Sequence, residues 1–101
     1  MIDAASWLAS RIEQAPVSLR SRMLEAIAQT SERTVHDALS AAAVICLKEA
    51  MREPAQRSSA HHLLAADALL THACEAAAEA GGETLRQFTD KWNPHYFETL
   101  L

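Results

Sequence analysis

The chain has little of the material from which sheets and turns are built. Its 101 residues include two glycines, three prolines and only seven valine or isoleucine residues. β-Strands favour β-branched and aromatic residues, so this composition excludes a β-sandwich or a β-barrel, and it excludes a collagen-like chain as well. The chain is also too short for two domains, and we expect a single domain over residues 1–101.

Positive charge is scarce too. Nine Lys and Arg residues against 13 Asp and Glu residues give a net charge of −4, which argues against a nucleic-acid partner, because such binding depends on neutralising phosphates. No window of about 18 apolar residues is free of charge, so we expect no membrane partner. The opening residues are amphipathic and acidic instead of basic and then apolar. We therefore expect no export signal and a cytoplasmic location.

The motifs that carry catalysis are missing as well. The two cysteines, Cys46 and Cys74, lie deep inside predicted helices and far from a helix N-terminus, where a thiolate would be stabilised. We expect both to be buried and unreactive. The chain has no glycine-rich phosphate loop, no Cys-x-x-Cys and no Gly-x-Ser-x-Gly. The sequence therefore predicts a protein that is not an enzyme and that carries no cofactor.

What the chain does have is alanine and helical periodicity. Twenty-one residues are alanine and 27 are large and apolar. Apolar residues at steps of three and four predict an all-α bundle of four main helices, at about 3–14, 18–29, 31–52 and 59–80. A short fifth helix follows at about 83–91, before a C-terminal aromatic segment. The loop around Pro54 is short, so the two long helices should form an antiparallel hairpin.

The same periodicity predicts which face of each long helix is buried. The predicted core lines are Val35, Leu39, Ala42, Cys46 and Ala50 on the third helix, and Leu63, Ala66, Leu70, Ala73 and Ala77 on the fourth. Ala43 and Leu47 broaden the line of the third helix, whereas Val44, Ile45 and Met51 fall outside it, and Leu64 is off the line of the fourth helix. A thin bundle would leave some of them in water, and a symmetric homodimer would bury them.

Histidines and carboxylates gather on the fourth helix, opposite Leu63 and Leu70. His72, Glu75 and Glu79 are candidate metal ligands, since imidazole and carboxylate are common ligands of divalent ions. The simpler interpretation is a polar helix face in solvent, and we expect no bound metal.

The final ten residues hold three of the five aromatic residues of the chain. The candidate interaction residues there are Trp92, Tyr96, Phe97, Leu100 and Leu101. We expect this segment to dock on its own subunit or across a dimer, in preference to remaining free for a foreign protein. The sequence thus predicts a small helical protein–protein interaction or accessory module, acting as a homodimer or bound to a larger partner. The alternative is a bundle that binds a metal or small ligand through the His and Glu residues of the fourth helix.

Overall fold

The computed structural model describes residues 3–100, apart from the side chains of Pro94, Phe97 and Leu100. The described part is all-α, as predicted, and contains no strand. Its helices are α1 (Ala4–Ala9), α2 (Val17–Ala28), α3 (Val35–Arg52), α4 (Arg57–Ala80), α5 (Gly82–Lys91) and α6 (Pro94–Leu100). The C-terminal aromatic segment is therefore mostly helical. Leu101, the last of the predicted interaction residues, lies outside the described residues.

Two helices begin or end away from the predicted boundaries. The first helix ends at Ala9 instead of near Gln14, and turn hydrogen bonds such as Ala15 N–H to the Ile12 carbonyl replace the helical pattern. These turns still direct Ile12 into the core. The third helix begins at Val35 instead of residue 31, because Thr34 is its N-cap. The Thr34 hydroxyl accepts a hydrogen bond from the Asp37 N–H at 3.2 Å.

Helices α3 and α4 form the predicted antiparallel hairpin at the centre of the molecule. The loop between them is held by the buried hydroxyl of Ser59, which donates to the carbonyl of Glu53. At its other end α4 stops at Gly81, whose φ of +130° strongly favours glycine. Because Gly81 also precedes the first residue of α5, the chain reverses there without a loop.

The face that α4 buries overlaps the predicted one but is rotated from it: Ala66, Ala73 and Ala77 are buried as predicted, and Leu70 is partly buried. Leu69 is fully buried and Leu63, predicted to be in the core, is 53% exposed. Alanine occupies most sides of this helix, so the leucines alone give an ambiguous pattern. The buried face is centred on small residues, which lets the axes of α3 and α4 approach closely. Its members are Ala65, Ala66, Leu69, Ala73, Ala76 and Ala77.

The remaining helices cover the hairpin unevenly. Helix α2 packs on both α3 and α4, and α1 lies against α2 and α3. Helix α5 packs on α4, and its Phe88 reaches His36 at the start of α3. In the described part of the chain, no helix is both long enough and apolar enough to cross a membrane.

Candidate functional site

The three candidate metal ligands of α4 lie where the N-terminal segment docks. One oxygen of the Glu79 carboxylate accepts a hydrogen bond from the Trp7 indole N–H at 3.2 Å, and the other pairs with Arg11 at 2.9 Å. The Arg11 guanidinium also lies 3.7 Å from the centroid of the Trp7 ring, which is a close cation–π contact. The predicted polar face is partly covered: the side chains of Glu75 and Glu79 are 49% and 52% exposed, and that of His72 is 18% exposed. Glu79 supplies the acceptor that the buried Trp7 indole N–H needs.

His72 and Glu75 form the second part of this cluster. The Nδ1 atom of His72 is 3.2 Å from a Glu75 carboxylate oxygen, and the imidazole ring meets the edge of Trp7 at 6.2 Å. Glu79 is engaged by Trp7 and Arg11, which leaves two of the three candidate ligands close to each other. Within residues 3–100, no three His, Cys, Asp or Glu side chains are arranged to hold a metal ion. The absence of a bound metal stays a prediction.

A second polar contact joins α2 to α4. The Arg22 Nη1 atom lies 2.7 and 2.9 Å from the two ring nitrogens of His62. Burial lowers the pKa of His62, and the positive charge of Arg22 lowers it further. The ring is therefore neutral near pH 7. The pair lines a cavity of about 160 Å³ together with Cys46 and Glu49. Because Arg22 and His62 are 40 residues apart, no local spacing in the sequence reveals the contact.

Both cysteines are free thiols in the interior of the helices. Cys46 is buried and Cys74 is partly buried. Burial raises the pKa of each thiol, so both are protonated near neutral pH. A protonated thiol is a poor nucleophile, which agrees with the expectation that neither is reactive.

The described aromatic residues of the C-terminal region contact one another in succession. The Phe88 and Trp92 rings are 6.2 Å apart, and the Trp92 and Tyr96 rings meet edge to face at 5.0 Å. Trp92 packs against the hydrophobic core, and Lys91 lies over the Tyr96 ring at 5.5 Å. Trp92 and Tyr96 thus dock on their own chain. The side chains of Phe97 and Leu100 fall outside the described residues, and the partner of this segment stays a prediction.

The outer side of the hairpin carries an apolar surface that the other helices leave open. Leu63 and Leu64, both on α4, are 53% and 61% exposed. Leu63 also borders a groove of about 170 Å³ between α3 and α4, whose other apolar walls include Val44, Leu47, Leu70 and Trp92. Sequence reasoning placed Leu63 in the core and so missed its part in this surface. Of the four off-line residues, Leu64 and Met51 are exposed, whereas Val44 and Ile45 are partly buried.

A larger cavity of about 450 Å³ also has Val44 in its lining. Its lining includes Gln29, Ser31, Asp37, Lys91 and Tyr96. These side chains carry charges of both signs, and the Tyr96 ring forms one wall.

No family model, curated protein or solved structure matches this chain.

Proposed function

We propose that this protein is a small, non-enzymatic helical interaction module that acts as a homodimer. The observation that carries the proposal is the apolar surface formed by Leu63, Leu64 and the groove beside them. Two adjacent leucines, each more than half exposed, are unfavourable in water, and contiguous apolar surface is typical of a protein interface.

Burial of this surface would stabilise a complex. A fully buried leucine or methionine contributes about 1.5–3 kcal/mol relative to the exposed state, so each half-exposed side chain has on the order of 1 kcal/mol to gain. In a two-fold dimer both subunits bury these side chains, so this stabilisation is gained twice, and two-fold dimers are the commonest oligomers. Association must also offset lost translational and rotational freedom, so we expect a dimer of moderate affinity.

Light scattering on a matched set of variants tests this function. The double variant Leu63→Glu/Leu64→Glu should be monomeric at a concentration where the unmodified chain is dimeric, because four added charges would meet at the interface. The control is Val17→Glu, since Val17 is 67% exposed and begins α2, a different helix from the one that carries Leu63 and Leu64. Dissociation by the control alone, or by neither variant, would contradict the proposed surface.

The alternative function is binding of a metal or small ligand through His72, Glu75 and Glu79. The 3.2 Å approach of His72 to Glu75 favours it, and the engagement of Glu79 by Trp7 and Arg11 opposes it. A structural zinc ion would contribute on the order of 10 kcal/mol to folding. A sharp fall in Tm on adding EDTA would therefore place the metal-binding function first.

A further inference from the structure

Five exposed residues of α4 share the spacing of a coiled-coil stripe. Arg57, Ala60, Leu64, Asp67 and Thr71 follow one another at steps of three and four, and all five are exposed. Positions spaced in this way form one stripe along a helix, the arrangement that packs one helix against another in a coiled coil. This stripe, called here the α4 seam, lies on the side of α4 away from its buried alanines.

The α4 seam carries one positive charge, at Arg57, and one negative charge, at Asp67. In the described part of the structure, neither the Arg57 guanidinium nor the Asp67 carboxylate forms an ion pair. Arg11, Arg52 and Arg86, in contrast, each pair with a carboxylate. The Thr71 hydroxyl is already satisfied by the Asp67 carbonyl at 2.9 Å. The two charges of the seam are therefore available to a second copy.

We propose that two copies pair through antiparallel α4 seams, with Arg57 of each subunit against the partner's Asp67. This inference rests on the proposed homodimer and specifies its geometry. In an antiparallel pair of identical helices, a residue of one subunit faces a second residue of the partner when the two-fold axis passes midway between those two positions along the helix. Residue 62 is midway between Arg57 and Asp67, and it is also midway between Ala60 and Leu64. A single axis therefore pairs both charges and sets each Leu64 over the partner's Ala60.

The neighbouring registers lack this agreement. Sliding the partner by one repeat in one direction brings Leu64 against the partner's Asp67, which places a charge on an apolar side chain. Sliding it in the other direction brings Leu64 opposite residue 53, before α4 begins at Arg57. A parallel pair sets each charge beside its own copy, which is repulsive. Of these arrangements, the register centred at residue 62 is the one that satisfies both the charges and the packing.

The register also explains why Leu63 is exposed together with Leu64. Leu63 flanks the seam and lies one residue from the level of the axis. Its side chain would therefore come beside the partner's Leu63. The two exposed leucines of each subunit would then cover the centre of the interface, with the ion pairs at its two ends, about 15 Å apart by the helical rise.

Charge reversal followed by exchange tests the register. Sedimentation equilibrium would give the dissociation constants of the unmodified chain, Arg57→Asp, Asp67→Arg and the double variant that carries both changes. Each single variant should weaken the dimer roughly ten-fold, because it turns two symmetry-related attractions into repulsions of similar size. The double variant should recover the original affinity, because the pairs are restored with their signs exchanged. In 1 M salt, at a Debye length of about 3 Å, the differences should largely disappear.

The controls are Arg33→Asp and Glu32→Arg, which make the same changes in net charge at exposed residues between α2 and α3. They should leave the dissociation constant unchanged. A stable dimer whose affinity is insensitive to the single reversals, or is not recovered in the double variant, overturns the register but leaves the homodimer intact. An unmodified chain that stays monomeric overturns both.

Discussion

Truncation of two leucines on α4 tests the orientation of that helix. Leu69 is completely buried, and a Leu→Ala change at such a site typically destabilises a protein by about 2–5 kcal/mol through lost transfer energy and the remaining cavity. Leu63 is 53% exposed. Leu63→Ala should therefore cost less than about 1 kcal/mol, because much of this side chain is already in water. The ratio between the two effects reports which side of α4 faces the core.

Thermal unfolding followed by circular dichroism measures this difference. For a domain of this size, about 1 kcal/mol corresponds to about 4–8 °C in Tm. Leu69→Ala should therefore lower Tm by more than about 10 °C, and Leu63→Ala by only a few degrees. Both should be measured at low protein concentration, because dimerisation would otherwise add to the apparent stability of the unmodified chain. Equal shifts, or a larger shift for Leu63→Ala, would refute the orientation and remove the basis for the exposed surface.

Three further predictions concern polar and aromatic contacts. Glu79→Ala should lower the free energy of unfolding by about 1–3 kcal/mol, because it leaves the Trp7 indole N–H without an acceptor. Glu79→Gln keeps an acceptor and should lower this free energy less, so equal losses of the two variants in chemical denaturation would contradict the prediction. Since the pKa of His62 is lowered in the folded state, unfolded chains bind more protons than folded chains as the pH falls through the ordinary histidine pKa of about 6.5. Stability should therefore fall as the pH is lowered from about 7 through that value. A His62→Gln variant should lose less stability over that range, and an identical pH profile would show that His62 does not contribute. The Tyr96 ring is partly buried against Trp92. Deletion of residues 95–101 should therefore lower stability by about 1–2 kcal/mol, and an unchanged Tm would mean that the segment is free for a partner.

The fold class and the hairpin could be predicted from sequence because their signals are local. Pro54 and the glycines at 81 and 82 interrupt the helical pattern in the sequence itself. The first residue of α3 was harder to predict, since Thr30, Ser31 and Thr34 all have side chains that can cap a helix. Only the hydrogen bond from Asp37 N–H selects Thr34.

The rotation of α4 could not be predicted because alanine packs well on any side of a helix. A leucine pattern normally identifies the buried face, but here the closest packing uses small residues and leaves Leu63 outside. The contacts of Glu79 with Trp7 and of His62 with Arg22 span 72 and 40 residues. Such distant pairs depend on how whole helices dock, which the spacing of residues within one helix does not determine.

The mass of the unmodified chain in solution tests the central claim most directly. Sedimentation equilibrium over a concentration series should give a mass that rises to twice the 11.0 kDa of one chain by tens of micromolar. This rise in mass would show that the chain forms the dimer in which Leu63 and Leu64 are proposed to be buried. A mass that stays at 11.0 kDa throughout the series would contradict the account.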